Sequence, residues 1–207
     1  MSDVGVALLA LHFQNDVLHA DGKIRVGIDD DTRRADLIDN ARRLLADARK
    51  LGWLIVHVRV AFRPDYADLP RNMPIFARVA EIGAVQDGSW GAEFFDVLAP
   101  LFNGKEFVVT HKSISAFRGT HLDILLRQCR IGQVVAAGVA THSVVEGTVR
   151  DAAEHGYHVT VMADACTAAS RTAHDAALAS MALMADVTTF GSGAWRVLTH
   201  PTQEGLA

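Results

Sequence analysis

Residues 6–16 read VALLALHFQND, an apolar run that stops at His12 and leads into a polar cluster. A short apolar run without alternation is typical of a strand buried on both faces, as in a parallel sheet covered by helices. In such sheets, ligands bind outside the carboxyl ends of the strands. The run therefore predicts a buried parallel strand, and it places His12 at the edge of the sheet where a binding site is expected.

Strand-like and helix-like segments alternate along the rest of the chain. Strands are predicted at residues 6–11, 53–60, 106–110, 133–138, 157–162 and 187–190, and helices at 29–51, 116–130, 172–185 and after Thr141. Residues 61–92 contain three prolines and three glycines and are predicted to form a long irregular segment. Strands that alternate with helices imply right-handed crossovers, so the predicted fold class is α/β, with one parallel sheet between two layers of helices.

The composition indicates one globular domain that spans residues 1–207. Apolar residues make up 50% of the chain and charged residues 21%, which permits a large core and argues against disorder. The 20 basic and 24 acidic side chains give a net charge of −4, and because no basic run occurs we expect no nucleic-acid partner. No apolar stretch approaches the ~20 residues of a membrane span, so no membrane association is expected.

The cysteines and the N-terminus indicate the compartment. Cys129 and Cys166 lie far apart without CxxC spacing, so neither a zinc site nor a disulfide framework is predicted. Asp3 and the lack of a basic residue before the first apolar run argue against a secretory signal. We therefore expect a cytoplasmic protein with reduced thiols.

Three predicted strand ends carry residues suited to catalysis. They are residues 12–16 (HFQND), 110–112 (THK) and 138–142 (GVATH). If the first, third and fourth strands are neighbours, His12, Lys112 and the helix start after Ala140 face one pocket. Unpaired backbone N–H groups at a helix start suit a nucleophile or a developing oxyanion.

Three blocks of the sequence resemble the isochorismatase-like hydrolases, also called the cysteine hydrolase family. The blocks are LLALHFQNDVL (8–18), HKSISAFRGTHLDILLR (111–127) and GVATHSVVEGTVRDAAEHGYHVTVMADA (138–165). The resemblance implies a Rossmann-like three-layer α/β/α sandwich with a central, mainly parallel sheet, assembled as a homodimer or homotetramer. It also implies an Asp, Lys and Cys triad, in which the Asp activates the Cys to form a thioester with the substrate.

The sequence departs from that triad at two positions. Under this alignment His12 stands in place of the Asp, Lys112 falls on the Lys, and Val144 stands in place of the Cys. A valine cannot act as a nucleophile, so the thioester mechanism is excluded if the alignment holds. The resemblance further implies a cis peptide between Val139 and Ala140, with the oxyanion site around Val139, Ala140 and Thr141.

Other residues are weighed as replacements for the missing thiol. Ser143 precedes Val144, and since neighbours on a helix point about 100° apart, Ser143 is predicted to face away from the pocket. Cys166 is predicted to be a buried structural thiol. Related nicotinamidases carry an Asp-x-His motif for a metal, and this chain has Asp65-Tyr66-Ala67 instead. We therefore expect no metal and no cofactor.

The pocket walls are predicted from residues near strand ends and in the long irregular segment. The candidates are Phe13, Gln14, Phe62, Trp90 and Phe117, with Arg59 or Arg118 as a holder for a substrate carboxylate.

Two functions follow from these residues. The first is a divergent hydrolase that acts on a small polar molecule through His12, Lys112 and water. In one branch of the family an acidic group protonates a vinyl ether, but a lysine cation beside His12 lowers the imidazole pKa and favours a base. The second is a catalytically silent member of the family, retained as a small-molecule binder or an oligomer partner.

Overall fold

Six parallel strands form one sheet in the computed structural model, which describes residues 4–24, 31–193 and 195. The strands are β1 (Gly5–Leu11), β2 (Leu54–Val60), β3 (Glu106–His111), β4 (Ile131–Val139), β5 (His158–Thr167) and β6 (Asp186–Thr188). Their order across the sheet is β3-β2-β1-β4-β5-β6, and every adjacent pair is parallel. The strand order therefore reverses between β1 and β4, which is the topological switch point of a doubly wound sheet.

Six α-helices lie in the described parts of the chain. They are α1 (Asn15–Leu18), α2 (Asp31–Lys50), α3 (Pro74–Glu81), α4 (Leu122–Gln128), α5 (Glu146–Glu154) and α6 (Arg171–Met181), and a π-helical turn (Thr141–Val145) leads directly into α5. The flanking helices complete a three-layer α/β/α sandwich, as predicted. None of the helices within the described parts of the chain is long and apolar enough to span a membrane.

The predicted strands agree with the structure to within a few residues, apart from the longer β5. Two helices differ more. The helix predicted at 116–130 begins only at Leu122, because the preceding residues form turns in which the Thr120 hydroxyl accepts a hydrogen bond from the Leu122 amide. Helix α3 lies inside the segment predicted to be irregular, and Pro74 occupies its first turn, where a proline is well tolerated.

Two groups of apolar side chains form the core. The larger group surrounds β1, in which the side chains of residues 7–11 are all buried. The smaller group lies under α3 and comprises Val60, Phe62, Tyr66, Leu69, Phe76, Val79, Ala84 and Val85. This second group holds α3 against the carboxyl end of β2.

Gly138 lies where β4 passes closest to β1, and the position has no room for a side chain. A Cβ there would stand 2.2 Å from the carbonyl oxygen of Leu11, and φ is +154°. We expect Gly138→Ala to lower the free energy of unfolding by about 2–3 kcal/mol, as an overpacked core does, when measured by urea denaturation. Gly156→Ala is the control, since Gly156 also has positive φ (+87°) but no atom within 4 Å. Equal losses in both variants would contradict the steric explanation.

Candidate active site

A cavity of about 350 Å³ opens at the carboxyl ends of β1, β2 and β4. Its lining residues are His12, Val17, Lys23 and Ile24 from the segment that follows β1, Val60 from β2, Ile75, Arg78, Val79 and Ile82 from α3 and its C-terminal end, and Val139, Ala140, His142 and Ser143 from the end of β4 and the π turn. The cavity therefore lies at the switch point, where doubly wound proteins bind small molecules.

The imidazole rings of His12 and His111 are hydrogen-bonded to each other at this cavity. The backbone amide of His12 donates to the carbonyl of Val58 at 2.9 Å, which fixes His12 just beyond the end of β1. His111 is the last residue of β3 and lies opposite Val60 in the sheet. The two Nε2 atoms are 2.5 Å apart, and the ring centroids are 4.8 Å apart.

The hydrogen-bond partners determine the tautomers of this pair. Nδ1 of His111 is 3.2 Å from the carbonyl oxygen of Ser115, which can only accept, so Nδ1 of His111 carries the hydrogen. Nε2 of a neutral His111 is then an acceptor, and Nε2 of His12 donates to it. The remaining nitrogen, Nδ1 of His12, has a lone pair and makes no hydrogen bond to any residue that the structure describes. The pair therefore presents a proton acceptor.

Burial keeps both rings neutral. It lowers the pKa of His12 well below its ordinary value, and the neighbouring His111 lowers it further. Burial also lowers the pKa of His111 to about 4, although the Ser115 carbonyl opposes the shift. At neutral pH the pair is thus suited to accept a proton and unsuited to donate one, which disfavours protonation of a vinyl ether.

The structure corrects the prediction that Lys112 faces the same pocket as His12. The Lys112 ammonium is bonded to the Asp68 carboxylate, its side chain is about half exposed, and it does not line the cavity. His111 is the last residue of β3 and is buried, whereas Lys112 lies just beyond the strand and is exposed. The prediction of Lys112 rests on its alignment with the family lysine and on the first and third strands being neighbours, but β2 lies between β1 and β3. His111, which the sequence analysis does not single out, is the residue of this strand end that contacts His12.

Val144, which stands in place of the family cysteine, and its neighbour Ser143 also lie differently from the prediction. Val144 is 1% exposed and does not line the cavity, whereas Ser143, predicted to face away, does. The two neighbouring side chains of the π turn do point apart, but Ser143 faces the cavity and Val144 packs in the larger core. Cys166 is buried on β5 as predicted, and burial raises the pKa of its thiol to about 12.

The peptide bond between Val139 and Ala140 is cis, as the resemblance implies. Both residues line the cavity. Thr141 is fully buried, and its hydroxyl lies 2.8 Å from Nδ1 of His174, so it does not line the cavity. Of the three residues predicted to form the oxyanion region, only Val139 and Ala140 border the space that a ligand would occupy.

None of the five predicted wall residues lines the cavity, and all of them except Trp90 are buried. Phe13 is buried in the larger core and Phe62 in the smaller one. Gln14 is fully buried, where its amide donates to the carbonyls of Val60 and Ala92 and accepts from the amide of Val60. These side chains hold the strand ends together and leave the walls to α3.

The remaining candidates lie away from the cavity, and Phe117 is buried in the larger core. Trp90 is 51% exposed and packs edge-on against His19, while Phe117 stacks on His155 with ring centroids 5.1 Å apart. Arg59 is paired with Asp87, and Arg118 lies 3.4 Å from Asp151, so neither reaches the cavity. The cations that do reach it, Lys23 and Arg78, were not predicted.

A metal centre is not formed by the described residues. No group of three or more histidine, cysteine, aspartate or glutamate side chains among them is arranged to hold a metal ion. The two Nε2 atoms of His12 and His111 are directed at each other, as in a hydrogen bond.

These features define the class of protein: a doubly wound α/β domain with a proton-accepting pair in a small-molecule cavity at its switch point. The sequence model of the isochorismatase domain matches residues 6–191, and the chain belongs to the isochorismatase family.

Relatives support this assignment. The isochorismatase family protein YwoC of Bacillus subtilis is 33% identical over 142 residues, which are 69% of this chain and 72% of that protein. Maleamate amidohydrolase of Pseudomonas putida is 31% identical over 129 residues, which are 60% of this chain and 57% of that protein. The crystal structure of an isochorismatase family protein from Desulfovibrio vulgaris superposes with a TM-score of 0.83 at 28% identity and covers 95% of this chain and 100% of that one.

Proposed function

We propose that this isochorismatase-family protein hydrolyses a small polar substrate with water activated by His12, without a covalent thioester. The observation that carries the proposal is the chain of hydrogen bonds from the Ser115 carbonyl through His111 to His12, which leaves Nδ1 of His12 as an acceptor. The cavity lining contains no thiol, and its one hydroxyl group belongs to Ser143. A positioned imidazole base contributes about 10²–10⁴-fold to a hydrolytic rate.

In the proposed reaction, His12 carries one proton from the attacking water to the leaving group. Nδ1 of His12 takes a proton from water as the water oxygen attacks the carbonyl carbon, and Nε2 of His12 then donates more strongly to His111. The same proton passes from His12 to the leaving nitrogen as its bond to carbon breaks, giving a carboxylic acid and an amine. An amide is the first bond to test, because one relative is a maleamate amidohydrolase.

Turnover of a mixed substrate panel, followed by mass spectrometry, tests the proposal. The panel contains small amides, ureas, esters and vinyl ethers, and the protein is assayed before and after dialysis against EDTA. We expect hydrolysis of amides or ureas at the same rate after dialysis, because the Nε2 atoms of His12 and His111 are hydrogen-bonded to each other and not directed at a shared metal ion. Failure of the folded protein to hydrolyse any class would overturn the proposal and favour a small-molecule binder. Loss of activity after dialysis against EDTA would contradict the metal-free mechanism and indicate that a metal ion activates the water.

The pH profile follows from the low pKa values of the pair. A base with a lowered pKa stays unprotonated below the ordinary histidine value of 6.5, so kcat/KM is expected to be flat from about pH 8 to about pH 5. It should fall only in stronger acid, where the pair takes up a proton, because burial lowers the pKa of His12 well below its ordinary value and that of His111 to about 4. Steady-state kinetics across this range, with circular dichroism to verify folding, make the measurement. A midpoint near 6.5, or a rate that rises in acid, would contradict the neutral pair.

A further inference from the structure

Among the described residues, the charges that line the cavity have one sign. Lys23 and Arg78 are the charged residues that line it, and no aspartate or glutamate of the described chain does. Eight other lining residues are apolar: Val17, Ile24, Val60, Ile75, Val79, Ile82, Val139 and Ala140. The chain as a whole has a net charge of −4, so a cationic cavity is a local feature and not a consequence of overall charge.

Lys23 is held at the cavity without an opposing charge. Its Nζ donates to the carbonyl oxygen of Gly83 at 2.7 Å, and no carboxylate among the described residues pairs with it. The nearby Asp16 carboxylate is occupied by the backbone amides of Lys23, at 3.1 Å, and Val85, at 2.7 Å. An ammonium group has three donors, so two remain for a ligand.

Arg78 adds a second cation from α3. Its Nη1 lies 3.2 Å from Glu81, and both side chains are largely exposed, at 71% and 64%. An exposed ion pair of this kind contributes little to stability, so the guanidinium can exchange Glu81 for a ligand carboxylate. The planar guanidinium also has donors that suit a carboxylate geometrically.

The cations and the proposed base come from different elements of the fold. His12 follows β1 at the carboxyl end of the sheet, whereas Arg78 lies on α3 and Lys23 is hydrogen-bonded to Gly83 just beyond that helix. Apolar side chains from α3 and β4 line the same cavity. A ligand that contacts His12 and the cations together therefore needs a short apolar body with an anion at one end.

We propose that Lys23 and Arg78 bind a substrate carboxylate, so that the site selects short apolar carboxylic acids with the scissile bond at the far end. A singly charged carboxylate fits better than a phosphate dianion, because Lys23 is shared with a carbonyl and Arg78 with a carboxylate. The position of the scissile bond rests on the proposed function. The binding of the carboxylate does not, since it precedes catalysis.

Binding of two matched, unreactive probes tests this site in the wild-type protein. Pentanoate and 1-pentanol share an apolar chain and differ in the anionic group. In ligand-observed NMR titrations we expect saturable binding of pentanoate, at least tenfold tighter than that of 1-pentanol and weakened by added salt. Equal binding of the two probes would overturn the proposal.

Variants locate the carboxylate. Lys23→Met is expected to weaken pentanoate binding at least tenfold and Arg78→Met at least threefold, whereas Lys23→Arg should retain most of the affinity. Arg71→Met is the charge-matched control, because Arg71 is exposed and does not line the cavity. A loss in Arg71→Met equal to that in Lys23→Met would overturn the site, and thermal unfolding verifies that each variant folds.

The two proposals fail in different ways. Carboxylate-selective binding without any hydrolysis would refute the proposed function and leave the carboxylate site standing. Hydrolysis of neutral amides with the same kcat/KM as their carboxylated analogues would refute the carboxylate site and leave the water mechanism standing.

Discussion

Replacing His12 with glutamine is expected to lower kcat by about 10²–10⁴-fold, the contribution of a positioned general base. Glutamine retains a polar group of similar length but cannot accept a proton at neutral pH. The backbone amide of His12, which donates to Val58, is unchanged by the substitution, so the end of β1 should keep its position. Steady-state kinetics on the best substrate of the panel give kcat and KM separately, and KM should change much less than kcat.

Lys112→Met is the control that separates the two accounts of this site. The Lys112 ammonium is bonded to Asp68 outside the cavity, so we expect kcat to stay within about twofold of wild type. The sequence alone predicts the opposite, because it places Lys112 beside His12. A large loss of kcat in Lys112→Met, with His12→Gln nearly unaffected, would show that the working site lies on the other side of β3.

Replacing Glu106 with alanine is expected to lower the free energy of unfolding by about 3–5 kcal/mol, the usual cost of removing one partner from a buried ion pair. The Glu106 side chain is 1% exposed and joins β3 to α2 and β2. It accepts hydrogen bonds from Arg49 at 2.9 and 3.0 Å, from His57 at 2.9 Å and from the amide of Leu101 at 2.9 Å. Its loss leaves the fully buried His57 ring without this partner.

Urea denaturation measures the effect, with Glu154→Ala as control. Glu154 is exposed on the last turn of α5, so its removal should change the free energy of unfolding by no more than about 0.5 kcal/mol. Equal midpoints for the two variants would show that the buried cluster contributes nothing.

The same cluster predicts an acid limit. Burial alone would raise the pKa of Glu106, but hydrogen bonds from Arg49, Leu101 and His57 outweigh it and lower the pKa to about 2. A carboxyl with a lowered pKa stabilises the fold above its ordinary value of 4.5, and this stability is lost as the pH falls from there toward about 2. Wild type should therefore lose stability over this range, and Glu106→Ala should lose less.

The sequence predicts the fold because β1 has no polar interruption. Residues 6–11 are buried in the centre of the sheet, as the apolar run requires, and His12 follows directly at the strand end. The three blocks that resemble the isochorismatase family extend this to the whole domain, and the family model confirms it. The location of the site could be predicted because strand ends at the switch point bind ligands whatever their sequence.

The sequence does not predict that His111 is the hydrogen-bond partner of His12. Alignment with the family lysine selects Lys112, whereas the residue of that strand end that contacts His12 is its neighbour His111. The alignment likewise assumes that Val144 faces the pocket, whereas Val144 is buried and Ser143 lines the cavity.

The sequence does not predict the cavity walls, because it indicates an irregular segment where the structure has helix α3. Pro74 and the surrounding turn residues suggest a break, yet a proline at the start of a helix is favourable. Helix α3 carries Arg78 to the cavity, and Gly83, in the turn after the helix, accepts the hydrogen bond that holds Lys23 there. Lys23 and Gly83 are far apart in sequence, so a local pattern does not reveal their contact. Without them the predicted walls were the aromatic residues, which instead fill the core or lie on the surface.

The protonation of the histidine pair tests the central claim most directly, because the proposed base exists only if both rings are neutral. Nitrogen-15 NMR at pH 7 on protein labelled at histidine reports the charge and tautomer of each ring, and His12→Gln and His111→Gln assign the signals. Two neutral rings of opposite tautomer are expected, with hydrogen on Nε2 of His12 and on Nδ1 of His111. A positively charged ring at pH 7, or hydrogen on Nδ1 of His12, would contradict the claim.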